Sequence, residues 1–294
     1  MNDRIVKKCL IVGIIISLLS AGLDMSFAEP QQDRARDYGP PVDFDEMISP
    51  ETINDYIRMS KAEVTKEEVA EVEALINSNL PAMNIVGQKY LSKVGLQHEI
   101  PSVHYYGYRN INPPSNCELT LENAFYCPKD NAIYYDIIFL SKYVKIVKEK
   151  SKGDGKYAAM AAIGHEMGHA ADYILKWGPM PSIIGYSSDN DPRLLAHMRA
   201  LEKRADCLAG AAVAEIVNNS SNAGDVYGKE KEKSKALLEG RFMLYAVQGD
   251  RSDDIYPPGE KRMKLFKMGF ESGVESCRSI SMSGTTYILE RSTE

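Results

Sequence analysis

The sequence predicts an α+β domain, rich in helix, with a small antiparallel sheet ahead of its long helices. Apolar residues recur at helical spacing through five stretches of the second half. Short aromatic and β-branched runs, bounded by Pro, Asn or Asp, are confined to residues 103–136. No internal repeat or low-complexity tract interrupts either pattern. With 294 residues, 44% hydrophobic and 26% charged, the chain has the balance of a globular protein with a sizeable core. The formal net charge of -6, without a basic stripe, argues against nucleic acid as the main partner.

Residues 1–28 read as a secretory signal. Arg4, Lys7 and Lys8 give a basic start, an apolar stretch runs from Leu10 to Leu23, and Ser26-Phe27-Ala28 offers small residues where a signal peptidase cuts. The stretch is shorter than the roughly 20 residues a spanning helix needs. Cleavage is therefore expected; an uncleaved anchor is the alternative and the only route to a membrane. Cys9 leaves with the signal, and Cys117, Cys127, Cys207 and Cys277 remain. An even number in an oxidising compartment points to disulfides, against four buried thiols.

Residues 29–60 form a polar leader, with Ser49-Pro50 opening a short helix. The domain proper spans 61–294. Thr65 and Glu68 make a capping box ahead of Val69, Val72, Leu75 and Ile76, and Pro81 restarts a second helix that stops near Gly95. Val103 to Tyr108 reads as a strand. Ala124–Cys127 and Ala132–Asp136 read as two more, around the turn Pro128-Lys129-Asp130-Asn131. Helices are then expected at 141–150, 156–176, 192–217, 229–247 and 258–273, with Gly153 and Gly155 separating the first two and a loop over 178–191. Asp191 or Asn190 caps the third, with Pro192 at its first position.

His165-Glu166-Met167-Gly168-His169 is H-E-x-x-H within a helix-forming run. Histidines four apart share a helix face and can reach one ion, with Glu166 beside them as a general base acting on water. The plainer alternative is a helix carrying two ordinary histidines. A zinc site needs a third protein ligand and an open position. Glu202 and Asp206 are again four apart, amid Ala205, Leu208, Ala209, Ala211 and Ala212, so the stretch looks buried. One carboxylate can ligate while the other accepts the free N–H of a histidine ligand. Spacing alone does not rank them.

On Phe125 to Asp130 with Tyr134 and Asp136, on His165 to His169, on Glu202 to Gly210 and on Gly259 to Cys277, the chain resembles the putative neutral zinc metallopeptidase family of bacteria. Two departures stand out. Ala170-Ala171-Asp172 replaces the family's His-Val-Gln, and Lys203-Arg204 replaces Leu-Gln after the glutamate, with the substrate cleft as the expected place of any effect. The chain is also similar to HtpX-type peptidases, in Asn123-Ala124-Phe125 and in Tyr256-Pro257-Pro258 before Arg262. These resemblances imply a zincin-like domain holding one zinc per chain, with His165, His169 and Glu202 as ligands, Asp206 orienting a histidine, and a polypeptide substrate. Together with the signal expected at residues 1–28, they point to an exported bacterial enzyme, periplasmic or secreted.

Tyr256 stands where HtpX-type enzymes carry a histidine and is expected to donate to the oxyanion; Arg262 is expected to steady that loop or touch substrate. Plain packing for Tyr256 and a structural ion pair for Arg262 are the alternatives. By analogy with zincins, an edge strand near Tyr134–Asp136 is expected to hold the substrate extended. Cys117–Cys127 and Cys207–Cys277 are the expected pairs. Rival functions are a catalytically silent zinc-containing binding protein, or a zinc hydrolase of a non-protein amide such as a cell-wall crosslink. His197 is read as a capping or solvent histidine, and Asp172 as a surface charge, with a supporting place behind the metal ligands as the alternative. His98 and His104 are not tied to the metal.

Overall fold

The computed structural model describes residues 61–93, 103–109, 112–151, 154–175, 191–219, 226–246 and 259–280. The expected signal, the leader with its short helix, and Tyr256 lie outside them.

Helix α1 (Lys66–Lys93) opens on the capping box: Thr65 N–H donates to Glu68 Oε2 at 2.8 Å and Glu68 N–H to Thr65 Oγ1 at 3.2 Å. It is one helix through Pro81, where two were expected. Ile76 before the proline and Met83, Val86 and Tyr90 after it are all buried. That packing on both sides outweighs the missing N–H, a cost of about 3 kcal/mol.

Strands β1 (His104–Tyr108), β2 (Ala124–Cys127) and β3 (Ala132–Asp136) form a sheet in the order β1-β3-β2. The β2–β3 hairpin is antiparallel, as expected, but β1 adds to β3 in parallel, so the sheet is mixed. Pairing on both sides places Tyr134–Asp136 at the centre; the open edge beside the helices belongs to β2. Asp136 ends β3 and caps the next helix, accepting the N–H groups of Ile138 and Phe139 at 3.1 Å each. Helix α2 (Ile137–Ser151) thus begins directly at the strand, earlier than expected.

Helix α3 (Lys156–Ile174) is buried from Tyr157 through His165 and is the central element. It packs against α1, β2, α4 (Pro192–Asn219) and α5 (Val226–Ala246). Its N-terminus is held from outside: Glu239 of α5, itself buried, accepts the N–H groups of Gly155 and Tyr157 at 3.2 Å each. Helices α6 (Gly259–Ser272) and α7 (Val274–Arg278) complete the chain, α6 lying along α4.

The α3–α4 and α4–α6 crossings are close because glycines sit at them. A Cβ at Gly168 would lie 2.7 Å from the Ala205 Cα, and one at Gly269 only 1.8 Å from the Cys207 carbonyl oxygen. Both expected disulfides are present: Cys117–Cys127 ties a loop to β2, and Cys207–Cys277 ties α4 to α7. The second closes a separation of 70 residues, worth about 4 kcal/mol in the chain-entropy account. Among the described residues no helix is long and apolar enough to cross a membrane.

Candidate metal centre

The α3–α4 crossing brings together residues that are far apart in sequence. His165 and His169 project from one face of α3, and Glu202 of α4 meets them. One donor atom from each lies within 4.8 Å of the others, the only such triad of potential metal ligands among the described residues. The two imidazole Nε2 atoms are 3.1 Å apart; Glu202 Oε2 is 3.2 Å from that of His165, and Oε1 is 3.6 Å from that of His169. Yet Glu202 Oε2 is buried without a well-aligned hydrogen bond among the described residues. Donors that crowd one point without bonding well to each other suit a shared cation. Two imidazoles and one carboxylate match a zinc set that leaves a fourth position open.

Behind the triad, Asp206 is fully buried and its Oδ1 accepts the Nδ1–H of His165 at 2.9 Å. A carboxylate only accepts, so in the neutral imidazole this bond fixes the proton on Nδ1 and turns the Nε2 lone pair towards the triad. Arg262, 2% exposed, donates to Asp206 through Nε at 2.8 Å and Nη2 at 2.6 Å. Arg262 thus makes an ion pair with the carboxylate that holds His165, the arrangement expected as the alternative to steadying the loop or touching substrate.

Glu166 sits half-buried on the same turn, and its Oε2 accepts the main-chain N–H of Tyr126 at 3.2 Å. The open edge of β2 thus holds the carboxylate. Burial raises the Glu166 carboxyl above its ordinary value, against the pull of His169 and His165. Burial acts downward on His165, but Asp206 and Glu202 outweigh it and push the imidazole up to about 10. Glu202 is held well below the usual carboxylate range: burial acts upward, but the positive charges of His169 and His165 beside it prevail. Asp206 is likewise lowered, with Arg262 outweighing burial.

Two residues read as ordinary are not. Asp172 is 1% exposed and accepts from Arg204 Nε at 3.0 and 3.1 Å, so it is a buried partner rather than a surface charge. Burial raises its carboxyl, with Arg204 pulling the other way. Asp172 and Arg204 come one from each of the two segments that depart from the family pattern, and they meet each other inside the protein. Their spacing held the signal: Asp172 lies three residues after His169 and Arg204 two after Glu202. His197 is buried at 3% exposure, against its reading as a solvent histidine. His104 is exposed on β1 and stacks towards Tyr106, away from the triad.

Residues 42–280 match the family described as "Putative neutral zinc metallopeptidase". The chain is also similar to "Uncharacterized protein YpfJ" of Escherichia coli (strain K12), at 27% identity over 157 residues, 52% of this chain and 52% of that protein. The protein of the same name in Escherichia coli O6:H1 (strain CFT073) gives the same figures, 27% over 157 residues. The chain thus spans about half the length of these relatives. No solved structure matches it.

Proposed function

Because the chain belongs to the putative neutral zinc metallopeptidase family, we propose that it is an exported zinc endopeptidase that cleaves polypeptides with Glu166 as general base. The observation that carries this reading is the convergence of His165, His169 and Glu202 on one point, with a second carboxylate, Glu166, beside them and not needed as a ligand. The two disulfides fit an oxidising compartment, as does the signal expected at residues 1–28.

His165, His169 and Glu202 would hold the ion. Bound there, zinc supplies Lewis acidity, polarising a peptide carbonyl and acidifying water. The chain's own residues do the rest. Asp206 keeps His165 in the ligating tautomer, and Arg262 keeps Asp206 charged. Glu166 takes a proton from the attacking water and delivers it to the departing amine. Its raised carboxyl suits a group that must hold and then release a proton. The Tyr126 N–H aims that carboxylate from the strand edge. Tyr256 remains the candidate donor to the developing oxyanion.

The test is metal analysis of the purified chain beside a peptide-library digest. About one zinc per chain is expected, with cleavage of peptides. Glu166→Gln should retain the zinc and lose hydrolysis by about 10²–10⁴-fold. A Glu166→Gln chain as active as wild type rejects the catalytic assignment. Zinc binding without cleavage of any peptide favours the binding-protein or non-protein-amide rivals.

A further inference from the structure

We propose that the Asp172–Arg204 pair is a positioning strut between the two helices that carry the metal ligands, setting Glu202 against His165 and His169. The inference rests on the zinc reading above and adds to it. Asp172 lies one turn beyond His169 on α3, and Arg204 lies within a turn of Glu202 on α4. Both side chains are 1% exposed or less, and Arg204 Nε bridges both oxygens of Asp172 at 3.0 and 3.1 Å. The same two helices are joined again at His165–Asp206, at 2.9 Å. Between these links, Gly168 backs on Ala205 so closely that a Cβ would approach to 2.7 Å.

Each contact constrains a different motion. The glycine sets how near the helices come. Two polar links on opposite sides of that crossing resist sliding and rotation. Glu202 lies two residues before Arg204 on α4, and a zinc–oxygen bond tolerates only a few tenths of an ångström of error. An ion pair buried this deeply is weak evidence of stabilisation, because desolvation offsets its attraction. Its value here is geometric: the directed Nε contact with two carboxylate oxygens fixes one relative placement of two helices.

The experiment measures zinc affinity by chelator competition on the purified full chain, and the visible absorption of Co²⁺ in the same site. It compares wild type, Asp172→Asn, Arg204→Gln and the double variant. Each single change should weaken zinc about 10–100-fold and reduce the tetrahedral Co²⁺ bands. The double change orphans neither partner, so its loss should fall at least about tenfold short of the product of the singles. A merely structural role would lower the unfolding midpoint but leave the affinity of the folded chain unmoved, as Val69→Ala on α1 should do. If the single variants do not fold, Arg204→Lys carries the test; it keeps the charge and loses the two-oxygen contact, and its weakened zinc binding is expected. Wild-type affinity and spectrum in the folded variants, or losses that simply multiply, overturn the strut alone. A wild-type chain that takes no zinc overturns the metal reading, and the strut with it.

Discussion

Asp206→Ala separates the ligand from the residue behind it. Asp206 accepts three hydrogen bonds, from His165 Nδ1 at 2.9 Å and from Arg262 Nε and Nη2 at 2.8 and 2.6 Å. Removing it frees the His165 ring to change tautomer and rotate, which should weaken zinc about 10–100-fold, or about 1.4–2.7 kcal/mol. It also leaves Arg262, 2% exposed, as a buried charge without its carboxylate. Breaking such a pair from one side costs about 3–5 kcal/mol of stability. The two effects are separable. Asp206→Leu with Arg262→Met replaces the ion pair by apolar volume and should recover most of the stability, but not the zinc affinity, because His165 still lacks its acceptor. Zinc is measured by competition with a chromophoric chelator, and stability by urea unfolding of the metal-free chain. Glu202→Ala, which removes a presumed ligand, should cost more zinc affinity than Asp206→Ala. The opposite order would exchange the roles of the two carboxylates; wild-type affinity in Asp206→Ala would refute the orienting role.

Gly269→Ala places a Cβ 1.8 Å from the Cys207 carbonyl oxygen and should cost about 3 kcal/mol, the upper end of overpacking. Gly87→Ala meets only the flexible Met167 sulfur at 3.2 Å and should be neutral or gain up to about 1 kcal/mol of helix propensity; equal urea midpoints for the two would refute the close-crossing argument. Tyr256→Phe should retain zinc while lowering kcat about 10²–10³-fold if the phenol serves the oxyanion, and unchanged kcat and KM would assign Tyr256 to packing. Zinc affinity should rise with pH, because the metal must displace a proton from His165, which the metal-free site holds up to about 10. Calorimetry near pH 7 in buffers of different ionisation heat should count about one proton or more released per zinc; a dissociation constant flat from pH 6 to 8 would contradict it.

The sequence made the helices and the hairpin legible because their signals are local. The Thr65–Glu68 capping box, the Pro128-to-Asn131 turn and the H-E-x-x-H spacing each lie within a few residues, and the structure places them as read. Local signals misled where tertiary packing prevailed. Pro81 looks like a helix boundary until Met83, Val86 and Tyr90 are seen in the core beyond it. The parallel addition of β1 to β3 has no signature in either strand, because the register is set by what each strand buries. The partners of Arg262 and Arg204 were not legible, for a related reason. A charged residue in an amphipathic helix reads as solvated until its partner, 56 residues away for Arg262–Asp206 and 32 for Arg204–Asp172, is known.

The centre also depends on an element that carries none of the three presumed ligands. The Glu166 carboxylate is aimed by the Tyr126 main-chain N–H, a donor that no substitution except proline removes. What can move it is the register of β2. That register is held by pairing with β3, where Tyr126 lies opposite Ile133, and by the Cys117–Cys127 disulfide at the next residue. A one-residue slip would turn the Tyr126 N–H towards β3 and leave Glu166 without its donor. The sheet therefore sets the direction of the proposed base, while the α3–α4 crossing sets the presumed ligands. Damage to the hairpin should accordingly impair hydrolysis before it impairs zinc binding, the reverse of damage at Asp206.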